Sequence, residues 1–325
     1  MSQFTFIQKP AMIHTPGKSD PYVTRVSEWI EQDWSWNGTY DLGVVGIPLS
    51  KSSISFSGAH SHPAVFRQLW SAFTTYNWDE DIDLKDLKAA DFGDVTMHIT
   101  DILQCHQNIE EGVVELVQRF PSLLPIFVGG DHSITYPIVK GLMRARQQRI
   151  GLIHFDAHLD VRDTLYGGPS NGTPMRSLIE TQAVQGEDIV TLGLRSFANS
   201  KEYREYAEGK GMKLFTQKQV KQQGLANLVT WAMEYLGEKC DAVYVTFDID
   251  VMDQSVVPGV PAIGPNGLTA AEIFESAAAL GQWEKTLAMD MVCVDPTKDT
   301  RDITTRVSVH TFLHFLTGYY KRVNR

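Results

Sequence analysis

Short apolar runs of four to eight residues recur along the chain, rich in β-branched side chains and bounded by Gly, Pro or Asp. Runs of that length without alternation read as strands covered on both faces. They fall at 42–47, 124–128, 150–155, 189–194, 213–215, 242–247 and 287–294, with a weaker one at 89–92. Between them lie stretches of helical period, for example 102–120, 136–147, 225–236 and 270–280. Thr269 with Glu272 three residues on makes a capping box before the last of these. Strand and helix alternate throughout, with no linker or repeat to divide them. The pattern predicts one three-layer α/β domain over residues 1–325, with a mostly parallel sheet of about eight strands flanked by helices. Residues 1–40 read as an irregular entry segment.

Ligands in such sheets gather at the carboxyl ends of the strands, so polar residues just past each run are the candidates for chemistry. Three runs end in this way. The first continues as Gly129, Gly130, Asp131, His132, Ser133; the second as Asp156, Ala157, His158, Leu159, Asp160; the third as Asp248, Ile249, Asp250. In extended backbone residues two apart face the same side, which would group Asp156, His158 and Asp160, and Asp248 with Asp250. Four crowded carboxylates cannot all ionise unless cations neutralise them. With His132 added, two imidazoles and four carboxylates suit two divalent ions, and the oxygen-rich donor set favours manganese over zinc or copper. His154, two residues before Asp156 and inside its strand, reads as a satisfied core histidine.

Composition narrows the picture. Lys and Arg number 29 against 39 Asp and Glu, a net charge of −10, which disfavours a nucleic-acid partner and suits bound cations. Hydrophobic residues make up 43% of the chain, enough to bury a full core. Cys105, Cys240 and Cys293 form no CxxC pair, so a reducing, cytoplasmic compartment is expected. No run of about 18 apolar residues occurs, so no membrane partner is expected. Trp29, Trp34 and Trp36 lie close together and read as packing or a subunit contact.

These motifs resemble the ureohydrolases, the family of arginase, agmatinase and formimidoylglutamase. GGDHS at 129–133, DAHLD at 156–160 and FDIDVMDQSVVPGVPAIGPNGLT at 247–269 carry the resemblance. Weaker echoes are GIP at 46–48, Gly58 with Pro63 and Arg67, and DFGDV at 91–95. It implies one manganese held by His132, Asp156, Asp160 and Asp248, and a second by Asp156, His158, Asp248 and Asp250. It implies also a hydroxide between the ions that attacks an amidine or guanidine carbon, and a trimeric or hexameric homo-oligomer. Asp160 and Asp250 are the catalytic candidates, Asp160 accepting the hydroxide's hydrogen bond and aiming it.

Two departures refine the resemblance. Arginases and agmatinases carry a proton-shuttling histidine before a Gly-x-Pro segment, and here Asn171 takes that place before Gly172, Thr173 and Pro174. An amide relays no proton near neutral pH. Together with this departure, SNGTPMRSL, PAIGPNGL and DPTKDTRDITTR most resemble the formimidoylglutamases, and the resemblance implies hydrolysis of N-formimidoyl-L-glutamate to L-glutamate and formamide in histidine degradation. A substrate with two carboxylates calls for cations, and Arg162 and Arg195 are the candidates. Asn171 and Thr173 could bind its glutamyl end.

The second departure is Cys293, where the family usually has a Glu that grips the cationic amidine. A thiol supplies no comparable charge. Three readings follow: a small core residue, a pocket for a different guanidino or amidino compound, or a metal-binding paralogue with weak or no activity.

Overall fold

The computed structural model describes residues 4–10, 20–32 and 37–324. A nine-stranded sheet runs through the middle, built from β1 (Ile7–Gln8), β2 (Leu42–Ile47), β3 (Ala89–Val95), β4 (Leu124–Gly129), β5 (Ile150–Phe155), β6 (Ile189–Leu194), β7 (Lys213–Thr216), β8 (Ala242–Asp248) and β9 (Thr286–Val292). Their order is β1-β3-β2-β4-β9-β8-β5-β6-β7. Every pairing is parallel except β1 with β3, which is antiparallel. The ninth strand beyond the expected eight is β1, which lies in the segment read as irregular. Two residues are too few for a periodic signal, and only pairing with the exposed edge of β3 defines them.

Successive residues of the strands feed two separate cores. Val44, Ile126, Ile153 and Val243 pack with Phe66, Ile273 and Phe312 on one side of the sheet. Val45, Phe127, Leu152 and Tyr244 pack with Ile109, Val113 and Ile138 on the other. This is why the strands read as unbroken apolar runs. The first face is covered by helices α1 (His62–Leu69), α4 (Leu225–Gly237), α5 (Ala270–Gln282) and α6 (Ile303–Val323); the second carries α2 (Ile102–Arg119) and α3 (Thr135–Arg146). The capping box before α5 is formed: Thr269 Oγ1 accepts from Glu272 N at 3.3 Å, and Glu272 Oε2 accepts from Thr269 N at 2.8 Å.

The longest helix, α6, was not among the stretches singled out by period. Its sequence, ITTRVSVHTFLHFLTGYYKRV, is dense in β-branched and aromatic residues that lower intrinsic helix preference. Packing against α5 settles it. A Cβ at Gly318 would lie 1.9 Å from the Ala278 carbonyl, and one at Gly281 2.0 Å from that of Phe315, so glycines allow the two backbones to approach.

The chain reverses direction across the sheet after β3 and again after β7. From β2 it steps outward to β3 and back to β4, then skips two positions to β5, continues out to β7, and returns to insert β8 and β9 in the gap. A crevice at the carboxyl ends of the strands forms at such a reversal. β4, β5 and β8, the strands of the three polar motifs, end around it.

Candidate metal centre and cavity

The three motifs converge because the strands end level. Phe155 pairs with Phe247 in the β5–β8 register, so the next residues, Asp156 and Asp248, sit side by side. Past those points the backbone turns. Asp156 Oδ1 accepts from His158 N at 2.6 Å, Asp248 Oδ1 accepts from Asp250 N at 3.0 Å, and Asp160 is left-handed with φ 51°. The residues expected to share a face do come together. Carboxylate-closed turns, rather than extended alternation, bring them there.

His132 arrives from β4 across the end of β9. Gly130 makes the approach possible, since a Cβ there would meet the Leu49 carbonyl at 1.7 Å. Asp131 accepts from Ser133 N at 3.0 Å and from Ser52 Oγ at 2.8 Å, so it caps the turn rather than joining the cluster.

His132 Nδ1 lies 3.1 Å from Asp156 Oδ2, 2.8 Å from Asp160 Oδ2 and 3.2 Å from Asp248 Oδ2. All four side chains are buried or nearly so, yet that nitrogen has no acceptor aligned for a hydrogen bond. Beside it, His158 Nδ1 lies 3.2 Å from Asp156 Oδ1 and 3.3 Å from Asp250 Oδ2, while Asp250 Oδ1 is buried without a partner. Among the described residues, no Lys or Arg side chain pairs with any of the four aspartates. A nitrogen surrounded by three carboxylates without a formed bond is the arrangement a cation would complete, so the residues fit divalent metal.

The electrostatics agree. Burial, with Asp250 and Asp156 adding repulsion, pushes the Asp248 carboxyl up to about 8. Burial and Asp156 likewise raise Asp160. Burial opposes the charged form of His158, but Asp250 and Asp156 outweigh it and lift the imidazole to about 12. His132 is raised well above its usual value against its own burial by Asp156, Asp160 and Asp248. Asp156 goes the other way: burial would raise it, but the close imidazoles of His132, His154 and His158 hold it well below the usual carboxylate range. Protons on histidines and on Asp248 thus supply the positive charge that a cation would bring.

His154 has both ring nitrogens occupied, Nδ1 with Thr191 Oγ1 at 3.1 Å and Nε2 with Asp156 Oδ2 at 2.8 Å, as expected of a satisfied core histidine that steadies a neighbour. Asp160, His158, Asp248 and Asp250 floor a cavity of about 400 Å3 whose wall includes Arg162 and Asn171. Two larger surface clefts, of about 660 and 730 Å3, hold no comparable carboxylate–imidazole cluster among the described residues.

The remaining candidates are placed differently. Arg162 is exposed on the wall, its guanidinium 5.8 Å from the Tyr203 ring centre. Asn171 is tied to the loop after β2: its Oδ1 accepts from Ile54 N at 2.8 Å and its own N donates to Ser52 O at 3.0 Å. Thr173, Arg195 and Cys293 are not on the cavity wall. The Thr173 hydroxyl closes its own turn, donating to Ser170 O and accepting from Ser170 N, both at 2.9 Å. Arg195 donates to the carbonyls of Asp250, at 2.6 Å, and Met252, at 3.0 Å. Its guanidinium therefore braces the backbone that carries Asp250 instead of facing a substrate carboxylate. Cys293, expected inside the last strand, lies just beyond it, buried and left-handed with φ 64°, its N donating to Gly130 O at 2.9 Å. Burial, with Asp248 and Asp250 close by, raises its thiol well above the ordinary range, so it carries no charge.

Sequence reading passed over several contributors. Asn199 pins the turn carrying His158, its Oδ1 accepting from Leu159 N at 2.8 Å and its Nδ2 donating to Ala157 O at 3.1 Å. Ser200 and Tyr203 line the same wall. These come from a helix entry with no local signature. Thr246, a polar position inside an apolar strand, did carry a signal: its Oγ1 lies 3.0 Å from His132 Nε2. Of the tryptophans near the start, Trp34 and Trp36 lie outside the described residues, and Trp29 is packed, its Nε1 donating to Leu87 O at 2.7 Å.

A formimidoylglutamase from Halalkalibacterium halodurans is 44% identical over 299 residues, 92% of this chain and 93% of that protein. The crystal structure of formimidoylglutamase from Bacillus subtilis superposes with a TM-score of 0.89 at 36% identity, covering 94% of each chain. That of Trypanosoma cruzi formiminoglutamase with Mn2+ gives 0.84 at 25% identity, over 92% of this chain and 99% of that one. The Arginase family model matches residues 40–318, and the chain belongs to the arginase family.

Proposed function

We propose that the protein is a manganese-dependent formimidoylglutamase, hydrolysing N-formimidoyl-L-glutamate to L-glutamate and formamide in histidine degradation. One observation carries the reading: four aspartates and two histidines converge at and just beneath the floor of a cavity, with no Lys or Arg pairing with the aspartates among the described residues. Relatives named formimidoylglutamase at 44% and 36% identity support the choice of substrate.

One ion would be held by His132, Asp156, Asp160 and Asp248, and a second by Asp156, His158, Asp248 and Asp250, two per subunit. Such ions supply Lewis acidity, making water a nucleophile near neutral pH and polarising the amidine. The chain's own residues do the rest. Asp160, on the cavity floor, accepts a hydrogen bond from the attacking water and aims it at the amidine carbon; Asp250, beside it, completes the floor. Water oxygen bonds to that carbon, the bond from carbon to the glutamyl nitrogen breaks, and the nitrogen leaves as the amine with a proton from water. Arg162 on the wall is placed to pair with a substrate carboxylate. Asn171, with its Oδ1 bonded to Ile54 N, has its amide N–H groups left to donate to the glutamyl end.

The same reading makes the protein a cytoplasmic homo-oligomer, trimeric or hexameric, with a small-molecule substrate and no nucleic-acid or membrane partner. The net charge of −10 supports the part concerning nucleic acid. Protein loaded with manganese and offered a panel of amidines and guanidines should release glutamate from N-formimidoyl-L-glutamate faster than amine from agmatine or guanidinobutyrate. A second reading rests on Cys293: a metal-binding paralogue with little turnover, for which every member of the panel would stay intact while metal binds.

A further inference from the structure

Outside the strand-end cluster, α6 carries two histidines four residues apart, His310 and His314. That spacing sets both side chains on one face of the helix. Their ring centres lie 6.2 Å apart, and both rings pack on Phe274 of α5, His314 nearly parallel to it at 4.8 Å and His310 at 5.4 Å. Phe73 meets His310 edge-on at 5.0 Å. Among the described residues neither imidazole has a hydrogen bond or an ion pair. A cavity of about 210 Å3 opens beside them, and Asp79 stands on its wall with both histidines. Asp79 lies in the turn of a short hairpin that pairs Tyr76–Asn77 with Ile82–Asp83. Its neighbours have cations, Glu80 pairing with Lys321 and Asp83 with Lys85, whereas the Asp79 carboxylate has no ion pair or hydrogen bond among the described residues. No Lys or Arg lines that wall.

We propose that His310, His314 and Asp79 form a separate metal site for an imidazole-preferring ion, Zn2+ or Cu2+, which ties the hairpin to α6. Two histidines one helical turn apart on the same face are an arrangement that binds zinc in helices. Two imidazoles with one carboxylate invert the balance of the strand-end cluster: imidazole suits zinc and copper, whereas carboxylates suit manganese. Three protein ligands leave a tetrahedral ion one position for water. Partial burial, with His314 beside it, lowers the His310 imidazole, and partial burial lowers that of His314, so both are neutral near pH 7 and have a lone pair to give. Packing on Phe274 and Phe73 already restricts both rings, which reduces the freedom lost on binding. Asp79 comes from a distant part of the chain, so an ion held by all three joins two elements that meet only across this cavity wall.

None of these residues takes part in the proposed hydrolysis, so the site stands or falls apart from that reading. Trp78, exposed on the same wall, serves as the probe, because a bound Cu2+ quenches a nearby indole. Protein kept in excess Mn2+ is titrated with Cu2+ by fluorescence and with Zn2+ by calorimetry. Wild type should bind one ion more per chain than a variant carrying both His310→Gln and His314→Gln, which should also lose the quenching. Any Zn2+ that displaces Mn2+ at the strand ends is common to both proteins, so the difference isolates this site. Trp78→Phe should lose the quenching and keep the binding. Asp79→Asn should weaken binding by at least roughly tenfold, and Zn2+ should raise the melting temperature of wild type but not of Asp79→Asn. Turnover should be the same in all of them. Equal Zn2+ binding by wild type and the double histidine variant would overturn the site. Undiminished binding in Asp79→Asn, with the melting temperature raised as in wild type, would overturn the tie between hairpin and helix.

Discussion

Toward one edge of the sheet, Asp91 and Asp94 of β3 enclose the buried guanidinium of Arg67; near its centre, four aspartates pair with no Lys or Arg among the described residues. Arg67 Nε and Nη2 donate to the two oxygens of Asp91 at 2.7 and 2.9 Å, and Nη1 donates to Asp94 at 2.7 Å. Nη2 also donates to Gly93 O at 3.0 Å. That group carries its own cation, whose guanidinium is hydrogen-bonded to both carboxylates. The central group has only histidines to offer, and one nitrogen of His132 and one oxygen of Asp250 stay unpartnered. Both are expensive to bury, but the first is complete as folded and the second needs charge from solution. A buried carboxylate group that lacks its arginine is thus a stronger sign of function than one that has it.

That contrast can be broken at either end. The largest effect expected is on activity: a chelator should abolish turnover and added Mn2+ restore it, and Asp248→Asn should abolish it irrecoverably while leaving the melting temperature of metal-free protein unchanged or higher. Because Asp248, with its carboxyl near 8, and His158, near 12, hold protons that a cation must displace, apparent Mn2+ affinity should rise between pH 6 and 8. Each displaced proton contributes about tenfold per pH unit. A pH-independent affinity would mean that the ion binds elsewhere.

Arg67→Met should act oppositely, on stability first. Removing the guanidinium strands two buried carboxylates and should cost ~3–5 kcal/mol in urea denaturation, with or without metal. If the variant melts like wild type, Asp91 and Asp94 are not held in place by the arginine.

His62 tests the neutral interior between these two charged groups. Burial lowers its imidazole to about 4, while Nδ1 meets Gly129 O at 2.9 Å and Nε2 meets Ser308 Oγ at 3.1 Å. The unfolded chain takes up this proton at about 6.5 and the folded one only near 4, so its contribution is lost as pH falls across that window, by about 3 kcal/mol. The stability difference between wild type and His62→Asn, measured by urea from pH 7 down to 4.5, should therefore shrink with acid.

Smaller effects are expected at the substrate. Cys293→Glu adds the charge the family usually has and should raise N-formimidoyl-L-glutamate hydrolysis by an amount worth ~1.5 to 3 kcal/mol, whereas Cys293→Ser should change little. No gain with metals bound would mean that residue 293, buried beside Asp248, does not reach the substrate. Arg162→Ala should raise KM for the dicarboxylate substrate by roughly tenfold, a contact of about 1.4 kcal/mol, and leave KM for a neutral amidine unchanged. Equal effects on both would remove Arg162 from the pocket.

Much of the molecule was legible in one dimension. The unbroken apolar runs announced strands buried on both faces, and every run became a strand of the one sheet. The metal-binding candidates were legible too, because crowded carboxylates and imidazoles at strand ends have few other uses. Period and propensity reflect local energetics, and those determined the layers and the cluster's membership.

Tertiary structure decided what local energetics leave open. It made β1 from two residues, and a helix of α6 against its β-branched composition, because each had a partner to pack on. It took Arg195 and Thr173 off the cavity wall by giving their donors nearer backbone acceptors, and it brought Thr246 to His132 across two strands. Such assignments depend on which atoms meet across distant segments, and no spacing along the chain encodes that meeting.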